Sequence, residues 1–388
     1  MYKFFFLFEN KLRPERLEWL SLLLKNFNIQ DNTMKRHTEI MIFLSGESQY
    51  SLLDGRTRRI WMEILKNPQI KLYLDHAELK ILGISVDLLR KYYHSKININ
   101  LENFWESLID KIMDDKFGSQ MGVLQNDGPY MHRTTVYSIR LMQAAINREI
   151  NVDYYGYLDG VHLGHKGQNP SEFENISQSL SDIKEIALKK DLNFSMLSCS
   201  RCGIARGYIR SQPTEEYFIS DDTIPHYYFC NLNKIIDKFE KHHLILSSNS
   251  AILFNDFQGT NSKPGLIIFI TNSPYASEWT FGGVSFAVAS ATHDIPTQVI
   301  FIEDGVYGLA GIHQIDESNK IFNLQDILEA TTDIENLDFY AYKPSLHKRN
   351  IAISNRLKNV ALIDNEDLNM NILKNNQKSL YHKRIMFF

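Results

Sequence analysis

Val152-Asp153-Tyr154-Tyr155-Gly156-Tyr157-Leu158-Asp159-Gly160-Val161 is a mostly apolar run that stops at Asp-Gly-Val, and Gln298-Val299-Ile300-Phe301-Ile302-Glu303-Asp304-Gly305-Val306 does the same. A short run of aromatic and β-branched residues closed by a turn signal predicts a strand buried on both faces. The surroundings match as well. Before the first run come a strand at 119–125 and a helix at 132–148; before the second come a strand at 266–271 and a helix at 281–292. Gly282-Gly283 in the latter would allow another backbone close approach. A helix and a strand follow each run, at 175–189 and 192–197 and again at 324–331 and 337–342. An arginine lies beyond the third strand at Arg206 and Arg349, and a glutamine follows each Asp-Gly-Val at Gln168 and Gln314. Landmarks at matched separations indicate an internal duplication. The strand–helix alternation predicts α/β units, each a mainly parallel sheet with helices on both faces.

The first third repeats the order less faithfully. Strands are expected at 2–8, 39–44 and 70–74, with an amphipathic helix at 15–27. The second strand ends at Ser45-Gly46-Glu47 instead of Asp-Gly-Val, and Leu82-Gly83 stands where the middle copy has Arg206-Gly207. The C-terminal copy continues with a helix at 345–354, a strand at 359–363, a helix at 366–374 and the run 384–388. Boundaries are expected near residue 118 and in a linker over 249–263, giving units at 1–117, 118–250 and 264–388.

The 388 residues exceed one ordinary core, in keeping with several units. Forty-two basic against 46 acidic residues leave a charge of −4, which argues against a general nucleic-acid or membrane surface. No apolar stretch approaches the ~20 residues a bilayer span requires. Phe4-Phe5-Phe6-Leu7-Phe8 lacks the length and cleavage site of a signal peptide and reads as a buried first strand. Three cysteines, Cys199, Cys202 and Cys230, do not form a disulfide framework, and a cytoplasmic protein with free thiols is expected.

In an open parallel sheet, chemistry gathers at the carboxyl ends of strands, where both Asp159 and Cys199 are expected. Cys199 stands where a strand gives way to a helix. Helical N–H groups, with Arg201 and Arg206 nearby, would lower its thiol pKa. A small buried core residue is the competing reading. Cys199-x-x-Cys202 has redox spacing. With His162-x-x-His165 it would also supply four zinc ligands if the two loops met, but a solvated loop is the favoured reading of the histidines, since the two motifs lie on separate loops. Asp159 and Asp304 are candidate acid/base groups or, since Asp304 occurs in a copy without cysteine, structural turn residues. In that copy Tyr342 occupies the place of Cys199. Cys230 reads as core.

A strand into Asp-Gly-Val, a downstream Gln, then a strand releasing Cys199 seven residues before Arg206-Gly207 resembles the DsrE/TusD family of sulfur-relay proteins. The C-terminal copy, with Ser273-Pro274-Tyr275, Asp304-Gly305-Val306 and Arg349, resembles the cysteine-free DsrF/TusC partner. The N-terminal copy stands in the place of DsrH/TusB. The resemblance implies three tandem DsrE-like domains. It also implies a catalytic Cys199 that takes sulfane sulfur as a persulfide from a donor protein and passes it to an acceptor, without a cofactor. Arg206, Arg201, Asp159 and Cys202 would support Cys199, at an exposed edge where a partner docks. Family members form hexamers of two three-subunit units, so this fusion would pair as a homodimer. Cys202 and the His162/His165 loop depart from the pattern. Two alternatives therefore stand: a zinc-stabilised or scaffolding module without catalysis, and a thiol–disulfide switch between Cys199 and Cys202.

Overall fold

A computed structural model describes residues 2–26, 38–100, 103–113, 120–210, 216–241, 244–255, 265–368 and 382–388. A first set of strands comprises β1 (Tyr2–Phe8), β2 (Thr38–Leu44), β3 (Ile70–Asp75) and β4 (Ile97–Asn100). A second comprises β5 (Gln120–Gln125), β6 (Asn151–Gly156), β7 (Phe194–Cys199), β8 (Tyr227–Cys230) and β9 (Leu244–Ser247). After β10 (Ser250–Asn255) comes a third: β11 (Gly265–Ile270), β12 (Thr297–Phe301), β13 (Leu337–Tyr342), β14 (Val360–Ile363) and β15 (His382–Phe387). Helices flank the sheets, as the alternation predicts for a parallel α/β architecture.

The second set forms a five-stranded all-parallel sheet in the order β8-β7-β6-β5-β9. The third set has the same internal order, β14-β13-β12-β11-β15, also parallel. The first set runs β4-β3-β2-β1, and β10 takes the fifth place, antiparallel to β1. Because β10 also pairs antiparallel with β15, the first and third sets merge into one ten-stranded sheet. Two expectations are thereby corrected. Only the second set has a sheet of its own among the described residues, and the stretch 249–263 is no simple linker, since 250–255 form a strand joining the other two sets. Ala251, Ile252 and Leu253 are buried, so its apolar residues find cover on both sides of the sheet. The helix expected at 345–354 is shorter, Lys343–Lys348. Of the helix expected at 366–374, residues 369–374 lie outside the described residues, as does the pair His242-His243.

The Phe4–Phe8 run is buried throughout, with Phe4, Phe6 and Phe8 in one apolar cluster and Phe5 and Leu7 in another. Alternate side chains feed opposite faces, which is the period-two geometry of a central strand.

The turn after each second strand recurs three times. The N–H groups of Ser45, Tyr157 and Ile302 donate to the carbonyls of Phe8, Gln125 and Ile270 at 3.0, 2.9 and 3.0 Å. The next residue is left-handed in each case: Gly46 (φ 52°), Leu158 (φ 49°) and Glu303 (φ 54°). Each opens a 3-10 turn, Gly46–Leu52, Leu158–Gly164 or Glu303–Leu309. The glycine of Asp-Gly-Val is required by close approach. A Cβ on Gly160 would lie 2.0 Å from the Gln125 carbonyl oxygen, and one on Gly305 would lie 2.0 Å from that of Ile270. Ser48 takes this place in the first set, and its hydroxyl donates to the Phe8 carbonyl at 2.8 Å.

The short helix after each third strand recurs too, at His76–Ile81, Ser200–Ala205 and Lys343–Lys348. Asp75, Cys199 and Tyr342 are its N-caps, and left-handed Gly83, Gly207 and Asn350 terminate it.

Candidate functional site

Cys199 ends β7 and caps the helix that carries Cys202 one turn later. Cys202 donates its thiol proton to the Cys199 sulfur, and the main-chain N–H groups of Cys202 and Arg201 also point at that sulfur. The Cys202 hydrogen bond is the largest influence on Cys199. With the two N–H groups and the Arg201 charge it outweighs burial, so the thiol pKa falls below its ordinary value. The same bond drives the Cys202 pKa far up, reinforced by burial and the Cys199 charge, against the Leu158 N–H and Arg206. Cys199 is thereby the easier of the two thiols to ionise and Cys202 the harder. Cys230 faces Cys199 in register on β8; burial, then the Cys199 charge, pushes its thiol up to about 12.

Arg201 reaches across the site, its guanidinium 5.3 Å from the centre of the Phe281 ring. Arg206 is engaged elsewhere. Its Nε donates to Asp159 Oδ1 at 2.7 Å and its Nη2 to Glu278 Oε2 at 2.6 Å. Its charge bears on Cys202. The same constellation stands in the third set, where Arg349 donates to Asp304 at 2.9 and 3.0 Å and to Glu15 at 2.9 and 3.1 Å. Each arginine thus joins the aspartate of its own Asp-Gly-Val to a carboxylate at the start of a helix in another set. Where the first set meets the second, the charges are exchanged: Arg133 donates to Glu78 at 2.6 Å, and the Tyr137 hydroxyl donates to Glu78 at 2.8 Å.

The site is covered. Cys199 is 3% exposed and Cys202 8%, so the open edge expected for docking is replaced by a buried junction. The lid is the helix Trp279–Ala291 of the third set. Tyr157 donates its hydroxyl proton to the Gly282 carbonyl at 3.0 Å, and a Cβ on Gly282 would lie 2.9 Å from the Leu158 methyls. Tyr157, Leu158, Glu278 and Phe281 are site residues that the sequence reading missed. Gly282-Gly283 was the available signal for a close approach, without indicating what approaches.

His162 and His165 do not join the cysteines. His162 Nδ1 lies 2.8 Å from the Tyr208 hydroxyl, and burial lowers its pKa; His165 Nδ1 lies 3.1 Å from the Asp222 carbonyl. Among the described residues no group of three or more His, Cys, Asp or Glu side chains is placed to hold a metal ion. The two glutamine landmarks also part. Gln168 donates to the carbonyls of His162 and Leu163, whereas Gln314 is exposed and the matching bonds, to Ala310 and Gly311, come from Gln325. Among the described residues no helix is long and apolar enough to cross a membrane.

Residues 265–377 match the model of the DsrE/DsrF-like family. The matched segment contains Asp304, Tyr342 and Arg349 and does not reach the cysteines. No curated protein matches the chain. Among solved structures, the crystal structure of the ychN protein from E. coli is similar at 22% identity, covering 34% of this chain and 99% of that one with a TM-score of 0.26. Residues 265–377, which hold β11 to β14 of the third set, are thus the part of the chain that is similar to the DsrE/DsrF-like family.

Proposed function

We propose that the chain carries sulfane sulfur on Cys199 and hands it to a partner protein. The observation that carries this reading is the place of Cys199 at a strand end and helix N-cap, where an S–H donor, two main-chain N–H donors and Arg201 lower its thiol pKa. It occupies the position that Tyr342 fills in the family-matched segment. A thiolate is the form that attacks a sulfur–sulfur bond. Cys199 attacks the outer sulfur of a donor persulfide, the donor leaves as a thiolate, and the acceptor's thiolate later removes the outer sulfur from Cys199. The site requires no cofactor for this.

In this reading the chain is a fusion of three DsrE-like domains, 1–117, 118–250 and 264–388. The second is the chemical one, and the first and third frame it. The recurring left-handed turns, the shared strand order and the paired arginine–carboxylate junctions support that division. Pairing of two chains and a cytoplasmic location complete the proposal. The lid implies that donor docking must first displace the start of the helix Trp279–Ala291.

Mass spectrometry after incubation with a sulfane-sulfur donor tests the reading. In Cys202→Ser, which leaves Cys199 as the one thiol of its turn, one added sulfur is expected on the peptide containing Cys199, and it is absent when Cys199→Ala is added. An unmodified Cys199 peptide, or an adduct that survives in the double variant, would end it.

A further inference from the structure

We propose that Cys202 makes this site release the sulfur it receives as hydrosulfide, so that the loaded chain acts as a persulfide reductase closing a Cys199–Cys202 disulfide. The inference rests on sulfur loading at Cys199 and goes beyond carriage.

Three observations point to it. Cys199 caps the helix and Cys202 is its third residue, so two buried free thiols share one turn. The pair is particular to this turn. The equivalent positions hold Asp75 and Glu78 in the first set and Tyr342 and Ser345 in the third, and all four are engaged in other contacts. Ser45 donates to Asp75 at 2.9 Å, Tyr137 and Arg133 donate to Glu78, and Ser345 donates to Glu15 at 2.9 Å. The Tyr342 hydroxyl bonds Asn365. Finally, Cys199 and Cys202 are both buried, so the thiol nearest in the chain to a loaded Cys199 is itself shielded with it.

The electrostatics of the pair reverse on loading. While Cys199 is a thiolate, its charge and its hydrogen bond hold the proton on Cys202. Once the Cys199 sulfur is bonded to a second sulfur it is neutral, and the negative charge sits on the outer sulfur, one bond farther from Cys199. The Leu158 N–H and Arg206 remain, and both favour a Cys202 thiolate.

The step balances as follows. The Cys202 sulfur attacks the inner sulfur of Cys199–S–S⁻, and the Cys202–Cys199 bond forms. The inner–outer sulfur bond breaks, and its electron pair leaves on the outer sulfur. The Cys202 proton goes with it, and HS⁻ departs. The sulfane sulfur gains two electrons and the thiol pair gives up two. A dithiol reductant, as a class, then reopens the disulfide by exchange and returns both thiols.

The test is a single turnover of the full chain with excess glutathione persulfide and no added dithiol. Hydrosulfide is measured directly, and the intact protein and its peptides by mass. Expected for the unmodified sequence are one hydrosulfide released by the protein per chain, the loss of two hydrogens, and a Cys199–Cys202 cross-link in the peptide map. Cys202→Ser is expected to keep the added sulfur on Cys199 and to release hydrosulfide at least about tenfold more slowly.

The inference is overturned if the unmodified chain accumulates the added sulfur without the cross-link. It is equally overturned if Cys202→Ser releases hydrosulfide as fast as the parent, or if the cross-link maps to Cys230, the in-register neighbour on β8. These results leave sulfur carriage standing wherever the Cys199 adduct is found. If neither protein ever carries sulfur on Cys199 nor forms the cross-link, carriage and reduction fail together. The parent chain's own mass record decides the matter even if the variant folds poorly.

Discussion

Removing the Glu278 carboxylate should unlatch the lid over Cys199. Glu278 Oε2 meets Arg206 Nη2 at 2.6 Å across the junction, with the glutamate side chain 56% exposed and the arginine 12%. A pair with one wet partner contributes about 0.5–1 kcal/mol, not the several that burial of both would imply. Arg206 stays anchored by Asp159 in Glu278→Ala, so the loss falls on the closed lid and not on the short helix. Lowering the opening free energy by that amount raises the open population by about two- to fivefold. Alkylation of Cys199 by iodoacetamide reads that population when opening and closing are fast relative to reaction. Rates are compared on the alkaline plateau of the pH profile, so that a change in thiolate fraction drops out. Glu63→Ala, which breaks the exposed Lys66–Glu63 pair far along the chain, is the control. Added salt should narrow the difference between variant and parent by screening the parent's ion pair. An unchanged or slower rate in Glu278→Ala would refute the lid.

Further outcomes are expected. The rate of Cys199 alkylation should rise with pH through a midpoint below the ordinary thiol value, and Cys202→Ala should move that midpoint up, because the main donor to the thiolate is gone; a midpoint that falls or stays refutes the assignment. Burial would raise the Glu15 pKa, but hydrogen bonds from Arg349, Lys348 and Ser345 outweigh it and hold the group at about 2. Its stabilisation is therefore complete above the unfolded carboxylate pKa and lost as pH falls toward 2. Glu15→Gln should cost about 1–2 kcal/mol at neutral pH, allowing for screening, and the gap to the parent should close between about pH 5 and 2 in denaturant melts. Gly160→Ala and Gly305→Ala should each cost about 2–3 kcal/mol or more by thermal unfolding, since the added carbon meets a carbonyl oxygen that cannot swing away.

Strand positions were legible because a both-faces-buried strand writes itself as a continuous apolar run. Phe4–Phe8 and Leu266–Ile270 needed no partner to be identified. β10 was not legible. Ala251-Ile252-Leu253-Phe254 is short and flanked by serine and asparagine, and its identity as a central strand comes from neighbours at Lys3–Leu7 and His382–Met386, far away in the chain. Cys199 stood out through its place at a strand end. Its burial did not, because the neighbours Glu278 and Phe281 come from the start of a helix that is apolar all round, a pattern that says nothing about which site it lies over. Gln314 illustrates the converse error. A matched spacing suggested a matched role, yet Gln325, entering from a helix, makes the carbonyl contacts instead.

The central antiparallel strand has a consequence for the order in which the chain can assemble during synthesis. β5 to β9 need nothing beyond residue 247 to complete their sheet, and their pairings span modest separations. β1, made first, waits for a neighbour some 240 residues later, and β10 in turn waits for β15. While it waits, one edge of a strand containing four phenylalanines is unpaired, the kind of surface that recruits other chains. The middle of the chain is therefore the segment able to fold as it emerges, and the earliest-made strand stays exposed longest. Slow, non-local closure of this kind makes the N-terminal strand the natural client of a holding chaperone.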